Sequence, residues 1–248
     1  MIALHGVHKA FGQKQVLRGV DLSVAKGESL VVIGGSGTGK SVLLKCILGL
    51  ERCDTGQIRV ADEIVTPVAR PAFLARFGML FQGAALFDSL TVWQNIAFRL
   101  LRGPGGHLRH TARAVAMDKL RRVGLDADVA DLYPSELSGG MQKRVGLARA
   151  IATDPDIIFF DEPTTGLDPI MAGVINTLIR DIVVDLGVTA ITITHDMASV
   201  RAIADKVAML HGGIIRWHGP TADLDRAQDA HVIQFITGAA DGPIKAVR

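Results

Sequence analysis

Eight consecutive residues, Gly34-Gly35-Ser36-Gly37-Thr38-Gly39-Lys40-Ser41, fit the pattern of a phosphate-binding loop in full. The glycines let backbone N–H groups converge on phosphate oxygens without side-chain clashes, and a helix starting there adds its positive N-terminal end. In such a loop Lys40 reaches the terminal phosphates of ATP and Ser41 ligates magnesium, Mg2+. The apolar run Leu30 to Ile33 before the loop predicts a buried strand, and the spacing of Val42, Leu43, Leu44, Ile47 and Leu48 after it predicts a buried helix. A bare glycine turn is the plain alternative, and these flanks argue against it.

Asp161-Glu162 closes a second apolar run, Ile157 to Phe160. A carboxylate at the end of a buried strand must meet positive charge or become neutral. Behind a phosphate loop the natural partner is magnesium, held by Asp161 largely through its water shell, while Glu162 is placed to polarise the water that attacks the γ-phosphate. Two acids after a strand, taken alone, read equally well as a solvated turn. A third stretch, Leu137-Ser138-Gly139-Gly140-Met141-Gln142, offers a serine able to cap a helix whose exposed N–H groups form another phosphate-binding surface. One ATP does not need two such surfaces from one chain.

That stretch, with the phosphate loop and Asp161-Glu162, resembles the signature motif and ATP site of ABC ATPases, and the resemblance covers nearly the whole chain. It implies a head-to-tail dimer with a second copy of the chain, in which Ser138, Gly139, Gly140 and Gln142 complete the site of the opposite subunit. It further implies that Phe11 stacks on adenine, where the family more often has tyrosine. Gln82 would sense magnesium and the attacking water, Asp168 would link the subunits, and His195 would contact the γ-phosphate. Gly34 through Ser41 would bind nucleotide, and Ser41, Gln82 and Asp161 would surround the metal.

Three stretches narrow the resemblance: Met79 to Phe87, Asp168-Pro169-Ile170-Met171, and Gln234 to Pro243. They look like the ATPase of Mla-type bacterial phospholipid transporters. That branch implies integral membrane permease subunits, an Mce-domain substrate-binding protein, and a place on the cytoplasmic face of the inner membrane, peripheral through the permease. The implied function is ATP hydrolysis driving phospholipid between inner and outer membranes. An importer of amino acids or another solute shares the ATP chemistry and is the nearer alternative. An ABC ATPase without a permease is the more distant one, because coiled-coil arms, zinc modules and a second cassette are missing from the sequence.

These residues need an α/β frame, and the pattern predicts one of the P-loop NTPase kind: a mostly parallel central sheet with an antiparallel β subdomain and a helical subdomain. Residues 16 to 33 read as strand material, 57 to 65 as a hairpin turning at Asp62-Glu63, and 84 to 152 as an inserted helical subdomain broken at Gly103-Pro104-Gly105-Gly106. A helix from Pro169 capped by Asp168, strands at 188 to 194 and 206 to 210, and a short helix at 197 to 204 follow. One domain is expected over 1–228, with a tail at 229–248 that packs loosely or onto the second ATPase subunit.

With 248 residues and 48% apolar side chains the chain can bury one substantial core. The 27 basic and 25 acidic residues leave a net charge of +2, so nucleic acid is not a favoured partner. No apolar run approaches the roughly 18 residues of a membrane span, and the start carries no secretory signal, so cytoplasm is expected. Cys46 and Cys53 form no metal or redox array and read as free, inert thiols. Arg99, Arg102, Arg109 and Arg113 read as a solvated helical face before they read as a headgroup contact. Phe81, Phe87 and Trp93 read as core, and with equal weight the resemblance implies that this region is the surface that receives a permease helix.

Overall fold

The computed structural model describes residues 1–66, 71–102 and 108–245, in two compact units, Met1–Arg70 with Ile193–Arg248 and Pro71–Thr192. The predicted break at Gly103-Pro104-Gly105-Gly106 lies outside the described residues.

The first unit opens on β1 (Ile2–Phe11) and β2 (Lys14–Val24), antiparallel from Ile2 opposite Val24 to Phe11 opposite Lys14. Ile2, Leu4, Val7, Leu17, Val20, Leu22 and Val24 are buried, the alternation of a sheet with one covered face. β3 (Ser29–Ile33) is buried along its whole length, as a strand covered on both faces must be. It feeds the glycine loop and α1 (Lys40–Ile47), after which β4 (Thr55–Val60) and β5 (Glu63–Ile64) complete an antiparallel sheet in the order β2-β1-β4-β5. The predicted hairpin is there, but it turns at Ala61-Asp62, both at positive φ, while Glu63 already pairs with Val60.

The second unit contains α2 (Pro71–Ala75), β6 (Phe77–Leu80), α3 (Val92–Ile96), α4 (Phe98–Arg102), α5 (Arg109–Arg122), α6 (Gly139–Ala150), β7 (Ile157–Asp161), α7 (Pro169–Leu186) and β8 (Thr189–Ile193). Its strands lie in the order β8-β7-β6, with β6 and β7 parallel from Phe77 opposite Ile157 to Leu80 opposite Phe160. Among the described residues, 84 to 152 hold only helices and turns. Asp168 caps α7, Pro169 occupies its first turn, and Gly187 ends it at φ 60.

The chain then adds α8 (Met197–Ile203), β9 (Lys206–His211), β10 (Ile214–Pro220) and α9 (Ala230–Thr237) to the first unit. β9 runs parallel to β3 and antiparallel to β10. Parallel pairing in both units, a separate antiparallel sheet and a helical stretch make the α/β architecture that the sequence predicts. β1, β6 and β10 were not foreseen. The tail also differs from a loosely packed segment. Its Gln234 is buried, donates to the Ala239 and Ile244 carbonyls (3.1 Å each) and accepts from the Ile244 N–H (2.7 Å), so one side chain organises the residues after α9.

Two glycines of the second unit separate packing from propensity. A Cβ on Gly78 in β6 would run into the Ala150 carbonyl at the end of α6, whereas Gly173 on the exposed face of α7 has open space around it. Gly78→Ala is expected to lower the unfolding free energy by about 2 kcal/mol or more. Gly173→Ala should raise it by about 0.5–1 kcal/mol. Denaturant midpoints of the two variants check both signs.

Candidate active site

In the first unit the glycine loop is fixed by steric need. Gly34, Gly37 and Gly39 sit at φ 151, 73 and 105, which side chains rarely adopt. A Cβ on Gly34 would run into the Leu210 carbonyl of β9, and one on Gly39 would lie 2.9 Å from Val16 Cγ1. The Lys40 ammonium donates to the Gly34 and Gly35 carbonyls at 2.7 and 2.8 Å, and the Thr38 hydroxyl donates to Gly35 at 2.9 Å. Ser36 and Ser41 are exposed, Ser41 in the first turn of α1.

Phe11 ends β1 with 48% of its surface exposed, and the Lys9 ammonium lies 5.0 Å from its ring centroid. Lys9 is itself paired with Glu51 at 2.8 Å, which raises its pKa. His195 is exposed in the link from β8 to α8. The next residue, Asp196, caps α8 by accepting from the Ala198 and Ser199 N–H groups and the Ser199 hydroxyl. Burial pushes the Asp196 carboxyl up, but those bonds and the neighbouring His195 prevail and hold it below its ordinary value.

In the second unit Ser138 caps α6, its hydroxyl accepting from the Met141 N–H at 3.3 Å. Gly139 is exposed beside it, and Gly140 lies under the end of the Met171 side chain of α7, whose terminal methyl would have to shift for a Cβ to fit. Gln142 turns its amide back to the Pro134 and Leu137 carbonyls at 3.0 and 3.4 Å, bracing the loop that delivers Ser138. Asp168 Oδ1 accepts from the Ile170 and Met171 N–H groups at 2.9 and 3.0 Å.

Asp161 ends β7 and Glu162 follows it, both half-buried. Glu162 sits at φ 47, an uncommon conformation for a residue with a side chain, and its carboxylate accepts from the Thr165 hydroxyl at 3.1 Å. Gln82 is exposed just beyond β6. Its main-chain carbonyl accepts from the ammonium of Lys143, which also donates to the Glu162 carbonyl at 3.3 Å. Three predicted elements of the site, the Gln82 loop, the end of β7 and the helix headed by Ser138, therefore meet around one lysine.

Several side chains correct the sequence reading or were missed by it. Arg99 is no solvated surface residue: it donates to the Phe77 carbonyl and to Leu74 at 2.8 Å, and burial lowers its pKa. Arg109 and Arg113 lie over the Trp93 ring, and Arg113 forks onto Asp131. Trp93 is core, whereas Phe81 and Phe87 are more than 40% exposed. Asn95, fully buried, ties the 87–91 loop through the Phe87 N–H and the Phe87, Leu90 and Thr91 carbonyls. Lys143 and Arg149 went unnoticed. The signal available was Gly146 midway between them, since a glycine inside a helix marks a close approach.

Residues 17–165 match the family described as ABC transporter. The chain is 39% identical, over 98% of its length and 70% of the relative's, to the probable ribonucleotide transport ATP-binding protein mkl of Mycobacterium leprae. It is 37% identical, over 99% of its length and 76% of the relative's, to protein TRIGALACTOSYLDIACYLGLYCEROL 3, chloroplastic, of Arabidopsis thaliana. The methionine import ATP-binding protein MetN of Brucella abortus is 41% identical over 89% of this chain and 60% of its own. A dimeric ATP-binding cassette in a post-hydrolysis state with ADP and Pi superposes with a TM-score of 0.78 at 28% identity, covering 89% of this chain and 98% of that one. The chain belongs to the ABC transporter family and is an ATP-binding ATPase whose hydrolysis is coupled to transport. No helix among the described residues is long and apolar enough to cross a membrane.

The left-handed backbone at Glu162 predicts opposite effects of one substitution on stability and on turnover. Glu162→Gly should raise the unfolding free energy by up to about 1 kcal/mol, relieving the φ 47 conformation, while abolishing ATP turnover. A fall in stability comparable in size, read by thermal denaturation, would show that the side chain holds the fold instead.

Proposed function

We propose that two copies of this chain close head to tail over two ATP molecules, each held between the phosphate loop of one copy and the α6 N-terminus of the other. The observation that supports this reading most directly is that one chain carries two helix starts of the kind that suits an anion, α1 behind the glycine loop Gly34–Gly39 and α6 behind Ser138 with Gly139-Gly140 in its first turn. In this reading Phe11 stacks on adenine, Lys40 contacts the terminal phosphates, Glu162 polarises the attacking water and His195 contacts the γ-phosphate. Asp168 joins the copies. The domain would comprise residues 1–228 with the helical subdomain at about 84–152, and the 229–248 tail would reach the second copy.

The donors offered to a divalent cation are the Ser41 hydroxyl, the Asp161 carboxylate and the Gln82 amide, all hard oxygens, and among the described residues no cluster of three His, Cys, Asp or Glu forms a metal site. That set fits magnesium, which prefers one or two carboxylates together with substrate phosphates. When bound, it supplies charge neutralisation on the phosphates. The chain's residues orient the nucleotide and the water around it.

The cargo reading is phospholipid moved between inner and outer membranes by an Mla-type assembly of this ATPase, permease subunits and an Mce-domain protein at the inner membrane. It draws on the Met79–Phe87, Asp168–Met171 and Gln234–Pro243 stretches and on the relative named for trigalactosyldiacylglycerol, which aligns with 99% of the chain. Solute import is the second reading, favoured by the 41% identity to a methionine importer over 89% of the chain.

Mass spectrometry of proteins and lipids that co-purify with Glu162→Gln from detergent-solubilised native membranes in ATP separates the two. This variant should bind ATP, dimerise and fail to turn over, and it should bring down a permease, an Mce-domain protein and phospholipid. A solute-type permease without an Mce-domain protein would move the cargo to the second reading. Rapid steady-state hydrolysis by Glu162→Gln would remove Glu162 from the role given to it.

A further inference from the structure

The second turn of α6 carries a buried cation to which the ATP chemistry above gives no part. Lys143 is 5% exposed, and its ammonium donates to the main-chain carbonyls of Gln82 and Glu162. Burial lowers its pKa, opposed by the charges of Asp161 and Glu162 nearby. Two turns further along, Arg149 donates to the carbonyls of Ala84 and Ala85, at 2.7 Å for Ala85. Both alanines are at positive φ, 58 and 47, so the loop that starts at Gln82 is gripped at two points.

Lys143, Gly146 and Arg149 are spaced three apart along one stripe of the helix. A Cβ on Gly146 would come within 2.6 Å of Leu80 and 3.3 Å of Ala84, so this stripe lies directly against the end of β6 and the loop beyond it. The same helix begins at Ser138.

We propose that Lys143 is a positioning residue for ATP hydrolysis. Its single ammonium holds the Gln82 and Glu162 backbones in register with each other and fixes both to the helix whose start presents Ser138. The inference rests on the roles given above to Gln82, Glu162 and the α6 N-terminus. A nucleotide engaged at the start of α6 would then bear, through a rigid helix, on the water-polarising residues of that helix's own chain.

A lysine suits the task because three donors on one atom can serve two carbonyls that approach from different elements. Methionine fills similar space, removes the ammonium from the Gln82 carbonyl and leaves the Glu162 carbonyl to the Thr165 N–H at 3.3 Å, so the tie between the two elements is lost. Because the contacts are to main-chain oxygens, Lys143 acts on where Gln82 and Glu162 sit and touches no substrate. Its removal should therefore appear in turnover and spare nucleotide binding.

The test is steady-state ATP hydrolysis by the full chain in the complex purified with its membrane partners, comparing wild type, Lys143→Met, Lys143→Gln and Glu162→Gln, with thermal midpoints recorded for each. Lys143→Met is expected to lower kcat roughly 10–100-fold with KM for ATP changed by no more than about threefold, the pattern of a misplaced reacting group. Lys143→Gln, which keeps a shorter donor, should fall between methionine and wild type and carries the test if Lys143→Met does not fold. Wild-type kcat in either folded variant, beside an inactive Glu162→Gln, overturns the inference and leaves the role of Glu162 standing. A loss confined to KM, or one proportional to the loss of folded protein, also overturns it. An active Glu162→Gln would instead strike the reading on which the inference rests.

Discussion

A cation removed from water has to be surrounded by acceptors, and the second unit is organised by that requirement. Lys143 and Arg149 bring two positive charges to one face of α6, and four main-chain carbonyls answer them, those of Gln82, Ala84, Ala85 and Glu162. Ala84, Ala85 and Glu162 have left-handed backbones that interrupt regular structure; Arg149 serves the two alanine carbonyls, and the Glu162 carbonyl accepts from Lys143 as well as from the Thr165 N–H of its own turn. Replacing buried charges with well-packed apolar groups is often neutral for stability. The contribution of these two cations is therefore one of position: they join the Gln82 loop and the end of β7 to the helix that starts at Ser138.

The two units reach tight loop geometry by different means. The phosphate loop uses Gly34, Gly37 and Gly39, where the conformation is free of Cβ strain and the neighbours Leu210 and Val16 leave no room for a side chain. At Glu162 the role proposed above calls for a carboxylate, which glycine cannot supply, and the residue keeps its side chain at φ 47. Its surroundings hold it there, through the Thr165 hydroxyl on the carboxylate and the Lys143 ammonium on the carbonyl. Ala84 and Ala85 stand between these cases, with Arg149 as their outside support.

Much of this was legible because the signals were local. The phosphate loop, the run into Asp161-Glu162 and the Asp168-Pro169 start of α7 each declare themselves within ten residues, through glycine spacing, an apolar run or a cap. β6 is only four residues long, follows directly on the short helix α2 and contains Gly78, so its strand character comes from pairing with β7 some eighty positions away. Lys143 and Arg149 read as ordinary surface charges on a helix of low amphipathic contrast, and nothing local names their carbonyl partners about sixty residues earlier. Arg99 misled for the same reason, its acceptors at Leu74 and Phe77 being set by the chain's path. The Gln234 hub was hidden because a glutamine in a glycine-rich tail has the composition of a loop.

The ATP chemistry is common to relatives named for different cargoes. Relatives whose names point to different cargoes align with most of the chain, so the groups that handle ATP do not discriminate among them. Much of the tail's hydrogen bonding is its own: Asp229 caps α9, Gly238 closes it at φ 66, and Gln234 bonds to the backbone at Ala239 and Ile244. Ile233 projects from this module at 45% exposure. The hydrogen bonds that shape residues 229–245 thus lie largely within that segment, while the full burial of Val232 and the His231 ring, 4.8 Å from that of His211 at the end of β9, seat it on its unit.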